Sequence, residues 1–200
     1  MKAASVNDDD VAPRGNRAML TLADGHTLTW DEDRDGIVVG QREITYNNGN
    51  LLVDVEEEEA PGEITMLALR TPNGGTYGVT LLDGTKVRLN AGTTLKYPSR
   101  FSRTEREVVL TGETYFSVVN DLEKPFKVIS AGQEVYVLGT EFNVSAYRDD
   151  PEIKTTLVEG KVRLLSASND VELVAGEQGV VKGTTLTKNK VDLEPYVAWK

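Results

Sequence analysis

The sequence predicts an all-β chain: a two-layer antiparallel β-sandwich, or a rolled, solenoid-like sheet built from successive hairpins, with very little helix. Three observations point there. Apolar residues occupy every second position on both sides of Asp83-Gly84, and an Asp-Gly pair between alternating segments is a strong short-range hairpin signal. The same pattern recurs from Leu20 to Trp30 around Asp24-Gly25, and more weakly from Ile44 to Val53 around Asn48-Gly49. No segment sustains the 3.6-residue period of an amphipathic helix.

The register of the Asp83-Gly84 hairpin follows from its side chains. A two-residue loop would set Leu81 against Lys86 and Val79 against Arg88, mixing apolar and charged residues on one face. A three-residue loop of Leu82, Asp83 and Gly84, with the glycine left-handed, pairs Val79 with Val87 and Tyr77 with Leu89 and sets Thr80 opposite Lys86 outside. The second register is the one expected.

In chain order, residues 1–17 are small, polar and acidic and read as a disordered lead-in. Residues 18–62 read as a β-hairpin extension. The acidic run Asp54 to Glu59, closed by Pro61-Gly62, reads as an exposed connection and boundary, because adjacent like charges repel. Residues 63–190 form the main β domain. Within it Val108 to Val118 is one long strand or two short ones around Gly112. The apolar parity slips between Val137 and Phe142, so a kink, bulge or sheet-switching corner is expected at Gly139. Across Glu159-Gly160 a two-residue loop would pair Leu157 with Val162. Strands at 171–174 and 178–182 complete the set, and residues 191–200 are a tail. The recurring turns assign structural roles to Gly25, Gly49, Gly84, Gly112, Gly139 and Gly160.

Composition excludes several functions. The chain has 200 residues, no cysteine, one histidine and a formal net charge of −10. Without cysteine there is no disulfide framework, thiolate zinc site or thiol nucleophile. His26, facing Leu22 beside a turn, reads as a structural surface residue, so nucleophile-base pairs have nothing to build on. The acidic balance opposes binding to nucleic acid or anionic lipid. No apolar run approaches the roughly 18 residues of a membrane span. No spacing singles out a catalytic pair among the 32 carboxylates, so no enzyme and no cofactor are expected. One ligand-like pattern remains. Asp31, Asp33 and Asp35 with Gly36 open a calcium loop, but position 12 is Arg42 where a bidentate glutamate belongs, and a solvated turn is the plainer reading.

Five ordered stretches carry a family resemblance: Thr71 to Gly75, Leu82 to Ala91, Leu110 to Val118 (Leu-Thr-Gly-Glu-Thr-Tyr-Phe-Ser-Val), Val137 to Val144 (Val-Leu-Gly-Thr-Glu-Phe-Asn-Val) and Thr156 to Val162. Over about residues 65–182 the chain resembles the FecR family of transmembrane anti-sigma factors, and Leu20 to Trp30 is similar to the extension that precedes this domain. The resemblance implies a periplasmic sensor belonging to a single-pass inner-membrane protein. Its expected partners are the signalling domain of a TonB-dependent outer-membrane transporter and, through a cytoplasmic segment, an extracytoplasmic-function sigma factor. The sigma-binding segment, the membrane helix and a C-terminal small α/β domain are not in this sequence, so it reads as a fragment with no direct membrane contact. The shared motifs are glycines and alternating apolar residues. They mark Gly74, Gly84, Gly112, Gly139 and Gly160 as backbone devices and Phe116 and Phe142 as core, and they transfer no partner-binding residue. The alternative function is a small-molecule or carbohydrate-binding β module, calcium-dependent if the Asp31 loop binds the ion.

Overall fold

The computed structural model describes residues 18–21, 27–30, 36–39, 43–46, 49–54, 64–167 and 169–198. The lead-in, the acidic connection at 55–63, His26, Gly25 and Asp31, Asp33 and Asp35 lie outside the described residues.

The strands are β1 (Ala18–Thr21), β2 (Thr27–Trp30), β3 (Ile37–Val39), β4 (Glu43–Tyr46), β5 (Leu51–Asp54), β6 (Met66–Arg70), β7 (Tyr77–Thr80), β8 (Lys86–Leu89) and β9 (Thr94–Pro98). There follow β10 (Arg106–Ser117), β11 (Phe126–Ser130), β12 (Gln133–Val137), β13 (Glu141–Ala146), β14 (Glu152–Glu159), β15 (Lys161–Ser166), β16 (Asn169–Val174), β17 (Glu177–Lys182) and β18 (Thr185–Lys190). One helical turn, α1 (Glu194–Val197), closes the described chain.

The long strand β10 organises the fold. Its first half pairs with β9, Leu110 opposite Leu95, and with β11. Its second half pairs with β8 and β13, Phe116 opposite Val87 and Phe142. One sheet therefore runs β2-β1-β6-β9-β10-β11-β12-β15-β16 and the other β5-β4-β3-β7-β8-β10-β13-β14-β17-β18. β10 belongs to both. Successive hairpins alternate: β11-β12 joins the first sheet, β13-β14 the second, β15-β16 the first and β17-β18 the second. This is the rolled form of the expected all-β fold. Two pairings, β10 with β11 and β3 with β7, are parallel, so the sheets are mixed.

Alternation in the sequence becomes inside and outside. In β8 Val87 and Leu89 are buried while Lys86 and Arg88 are exposed. A single core joins Leu69, Leu95 and Val128 of the first sheet to Val79, Leu89 and Phe142 of the second. Phe116 stacks on Phe142 with ring centroids 5.1 Å apart and meets Phe126 across the core at 5.9 Å. Burying one such ring contributes about 1.5–3 kcal/mol. Desolvation pushes the phenols of Tyr97 and Tyr77 up, Tyr77 to about 12, so both remain neutral. Leu20, Ile37 and Ile44 sit in the same core, since β1 pairs with β6 and β3 with β7.

The hairpin at Asp83-Gly84 has the three-residue loop: Val79 faces Val87, Tyr77 faces Leu89, and Gly84 has φ +84°. The pairing expected across Glu159-Gly160 is different. Leu157 faces Phe142, and Val162 faces Leu173 in the other sheet. Glu159-Gly160 is thus a corner, which sends β14 and β15 to opposite sides of the core and buries both Leu157 and Val162. Gly112 lies inside the continuous strand β10 and is not a turn. Its φ is +104°, and a Cβ there would sit 2.7 Å from the Thr93 Cα, so glycine lets β10 pass the start of β9.

Candidate interaction surface

At one end of the roll the corners stack against one another. Gly84 lies under Val119, whose Cγ2 would be 3.4 Å from a Cβ placed on it, and Gly139 is pressed so closely on Asn120 that a Cβ would be 2.6 Å from its Cα. A Cβ on Gly160 would meet the Gly139 carbonyl oxygen at 3.0 Å. The Thr140 hydroxyl donates to the Lys161 carbonyl at 3.1 Å, and the Gly176 amide donates to the Leu157 carbonyl at 3.0 Å. The chain thus leaves one sheet for the other at Gly139 and again at Glu159-Gly160, each corner seated on the one before. Gly49, by contrast, serves the separate β4-β5 turn with φ +83°.

Arg106 anchors this end. It is 2% exposed, although it closes the arginine-rich segment Arg100 to Arg106. Its guanidinium donates to Asp83 Oδ2 at 2.8 Å and to the carbonyls of Val119 at 3.0 Å and Lys124 at 2.9 Å, and it lies over the Phe126 ring at 5.5 Å. Asp83 also accepts from the Thr85 amide and hydroxyl. One buried cation therefore ties the β7-β8 loop to segment 119–124. The planar fork of arginine suits this task, since it presents several donors in fixed directions. Inside the segment, the Glu123 amide, with that of Lys124, donates to Asp121 Oδ1 and holds the carboxyl below its usual range. The Asp121 amide in turn donates to the Leu138 carbonyl at 2.8 Å.

What this framework displays is apolar. Leu122 is 74% exposed, and Val119 and Leu138 beside it are also exposed. Large apolar side chains held outward on a pinned backbone have the form of a contact surface. A second built feature lies on the outer face of the second sheet. The Glu113 carboxylate accepts from Asn90 Nδ2 and Asn143 Nδ2, both at 2.8 Å, cross-linking β8, β10 and β13. Farther along, Gln178 Nε2 donates to Thr156 Oγ1 and to the Tyr196 hydroxyl, fastening α1 to the sheet.

Among the described residues no three His, Cys, Asp or Glu side chains are grouped to hold a metal, and no helix is long and apolar enough to cross a membrane. Sequence reasoning missed Arg106 and Leu122. Arg106 carried a faint signal, since it keeps the inward parity of Val108 and Leu110; Leu122 carried none.

Comparison with known proteins adds the following. Residues 67–163 match the family model described as FecR protein. Two crystal structures of a candidate anti-sigma factor from Parabacteroides distasonis ATCC 8503 share the fold. One, at 1.65 Å resolution, is 36% identical with a TM-score of 0.64, covering 66% of this chain and 63% of its own. The other, at 2.50 Å, is 35% identical with a TM-score of 0.64, covering 68% and 64%. The chain thus spans less than two thirds of either neighbour. No curated protein matches it.

Proposed function

We propose that this chain, whose residues 67–163 belong to the FecR family, is the sensor part of an anti-sigma factor and works by protein contact rather than catalysis. It stands in the periplasm as part of a single-pass inner-membrane protein. There it receives the signalling domain of a TonB-dependent outer-membrane transporter and relays its ligand state to an extracytoplasmic-function sigma factor held by a cytoplasmic segment. Residues 63–190 are the sensor body, and residues 18–62 are an extension that lengthens both sheets.

The observation that carries this reading is where the family match falls. It covers the stretch from β6 to β15 that builds β10, the first corners and the Arg106 anchor, which is the apparatus presenting Val119, Leu122 and Leu138. The free edge β18 is a poorer contact. Its lysines, Lys188 and Lys190, are exposed, and charged edge residues discourage strand addition. The apolar corner is therefore the partner surface in this account. Signalling would follow if the partner binds one state of the full regulator better than another.

The test is a titration of this chain, and of a version extended past Lys200, with the signalling domains of transporters encoded beside it. Binding by the shorter version places the contact within these residues. Binding by the longer one alone reduces them to a scaffold, and binding by neither removes the reading.

A further inference from the structure

The opposite end of the roll is not closed by corners. There the sheets part over an open cleft of about 520 Å³, within the size range of small-molecule sites. Its floor is apolar and drawn from both sheets: Leu110 from the first, Ala146, Ile153 and Val181 from the second. Its mouth is flanked by the β11-β12 turn at Ala131-Gly132 and by the loop that carries Arg148 and Asp150. Small residues at the turn keep the mouth wide, and a Cβ on Gly132 would meet nothing within 4 Å.

At the mouth, Arg148 is exposed, and among the described residues no carboxylate pairs with it. Asp150 is already engaged, its Oδ1 accepting the Glu152 amide at 2.9 Å and so shaping the loop.

We infer that this cleft binds a small amphiphilic anion, an apolar body seated on Leu110, Ala146, Ile153 and Val181 with a carboxylate directed at Arg148. The apolar body fills the cleft and displaces its water. The guanidinium supplies the planar donor pair that carboxylates fit. A sensor so equipped would take a chemical input of its own, apart from any protein partner, and the site stands or falls independently of the partner titration.

The experiment follows backbone amide resonances of the full chain during titration with naphthaleneacetate and, separately, with its uncharged amide. The expected result is saturable shifts at Thr111, Ala131, Gly132, Arg148 and Gly183, with the acid bound about tenfold more tightly than the amide. Arg148→Ala removes that preference and leaves amide binding unchanged. Ala131→Trp, a substitution at an exposed position, fills the mouth and abolishes both. Equal affinity for acid and amide, shifts that persist in Ala131→Trp, or no shift at these residues up to millimolar probe would overturn the inference.

Discussion

Replacing Arg106 by methionine tests whether one buried cation holds the apolar corner in place. The change keeps the unbranched stem and removes the guanidinium. Asp83, whose side chain is 15% exposed, keeps its two bonds from Thr85 but loses its countercharge. The carbonyls of Val119 and Lys124 lose their donors at 3.0 and 2.9 Å. Each buried acceptor left unpaired costs about 1–3 kcal/mol, and breaking a buried pair from one side costs about 3–5 kcal/mol. These costs overlap, because segment 119–124 can turn toward water once released. The expected net loss is about 3–4 kcal/mol, read as a lower midpoint in urea with the slope retained. Asp83→Asn in the same background should recover part of it, because the stranded charge is then gone, and the double-mutant cycle isolates the pair. Hydrogen exchange should show residues 119–124 opening before the strands do. A loss under about 1 kcal/mol, or exchange at 119–124 unchanged from the parent, would show that the corner stack holds this segment without the arginine.

Other perturbations bear on the same framework. Gly139→Ala should destabilise by about 2 kcal/mol or more, because the new Cβ meets the Asn120 backbone at 2.6 Å. Gly132→Ala should cost only about 1 kcal/mol, since it meets nothing and bears only the strain of φ +84°; thermal melts of both variants check the contrast. Asp121 has a depressed folded pKa, so its contribution is complete above its usual value near 3.8 and is lost as the pH falls through the lower folded value. A carboxyl NMR titration should find its midpoint below those of unbonded aspartates, and a midpoint at or above 3.8 would contradict the capping geometry. Calcium at millimolar concentration should leave the melting temperature unchanged, because position 12 of the Asp31 loop is Arg42. A rise that Asp33→Ala abolishes would install a calcium site there.

Local pairings were legible in the sequence where both strands of a hairpin keep to one sheet. Val79 against Val87 follows from side-chain alternation and one glycine, both read within a dozen residues. The corner at Glu159-Gly160 was misread for a physical reason. An acidic residue followed by glycine between two alternating runs serves a hairpin and a corner equally well. Only the sheet that each strand joins separates them, and that depends on distant partners such as Phe142 and Leu173. The strand β18 was missed because Leu186 is its only apolar residue; it holds its place by pairing along β17. The parallel run of β11 beside β10 left no local mark, since Pro125 and Phe126 would begin a strand of either direction. Arg106 leaves only a faint parity signal in the sequence, because its partner Asp83 is 23 residues away.

The measurement that bears most directly on the account is calorimetric titration of the transporter signalling domain into this chain and into its Leu122→Asp variant. Leu122 is 74% exposed, so the variant should keep its folding stability within about 0.5 kcal/mol. The account predicts binding by the parent and a loss of about 2 kcal/mol or more in the variant, as expected for an anchor at the centre of an interface. Equal affinity for both would contradict the claim that the Arg106-held corner is the surface through which this protein is read.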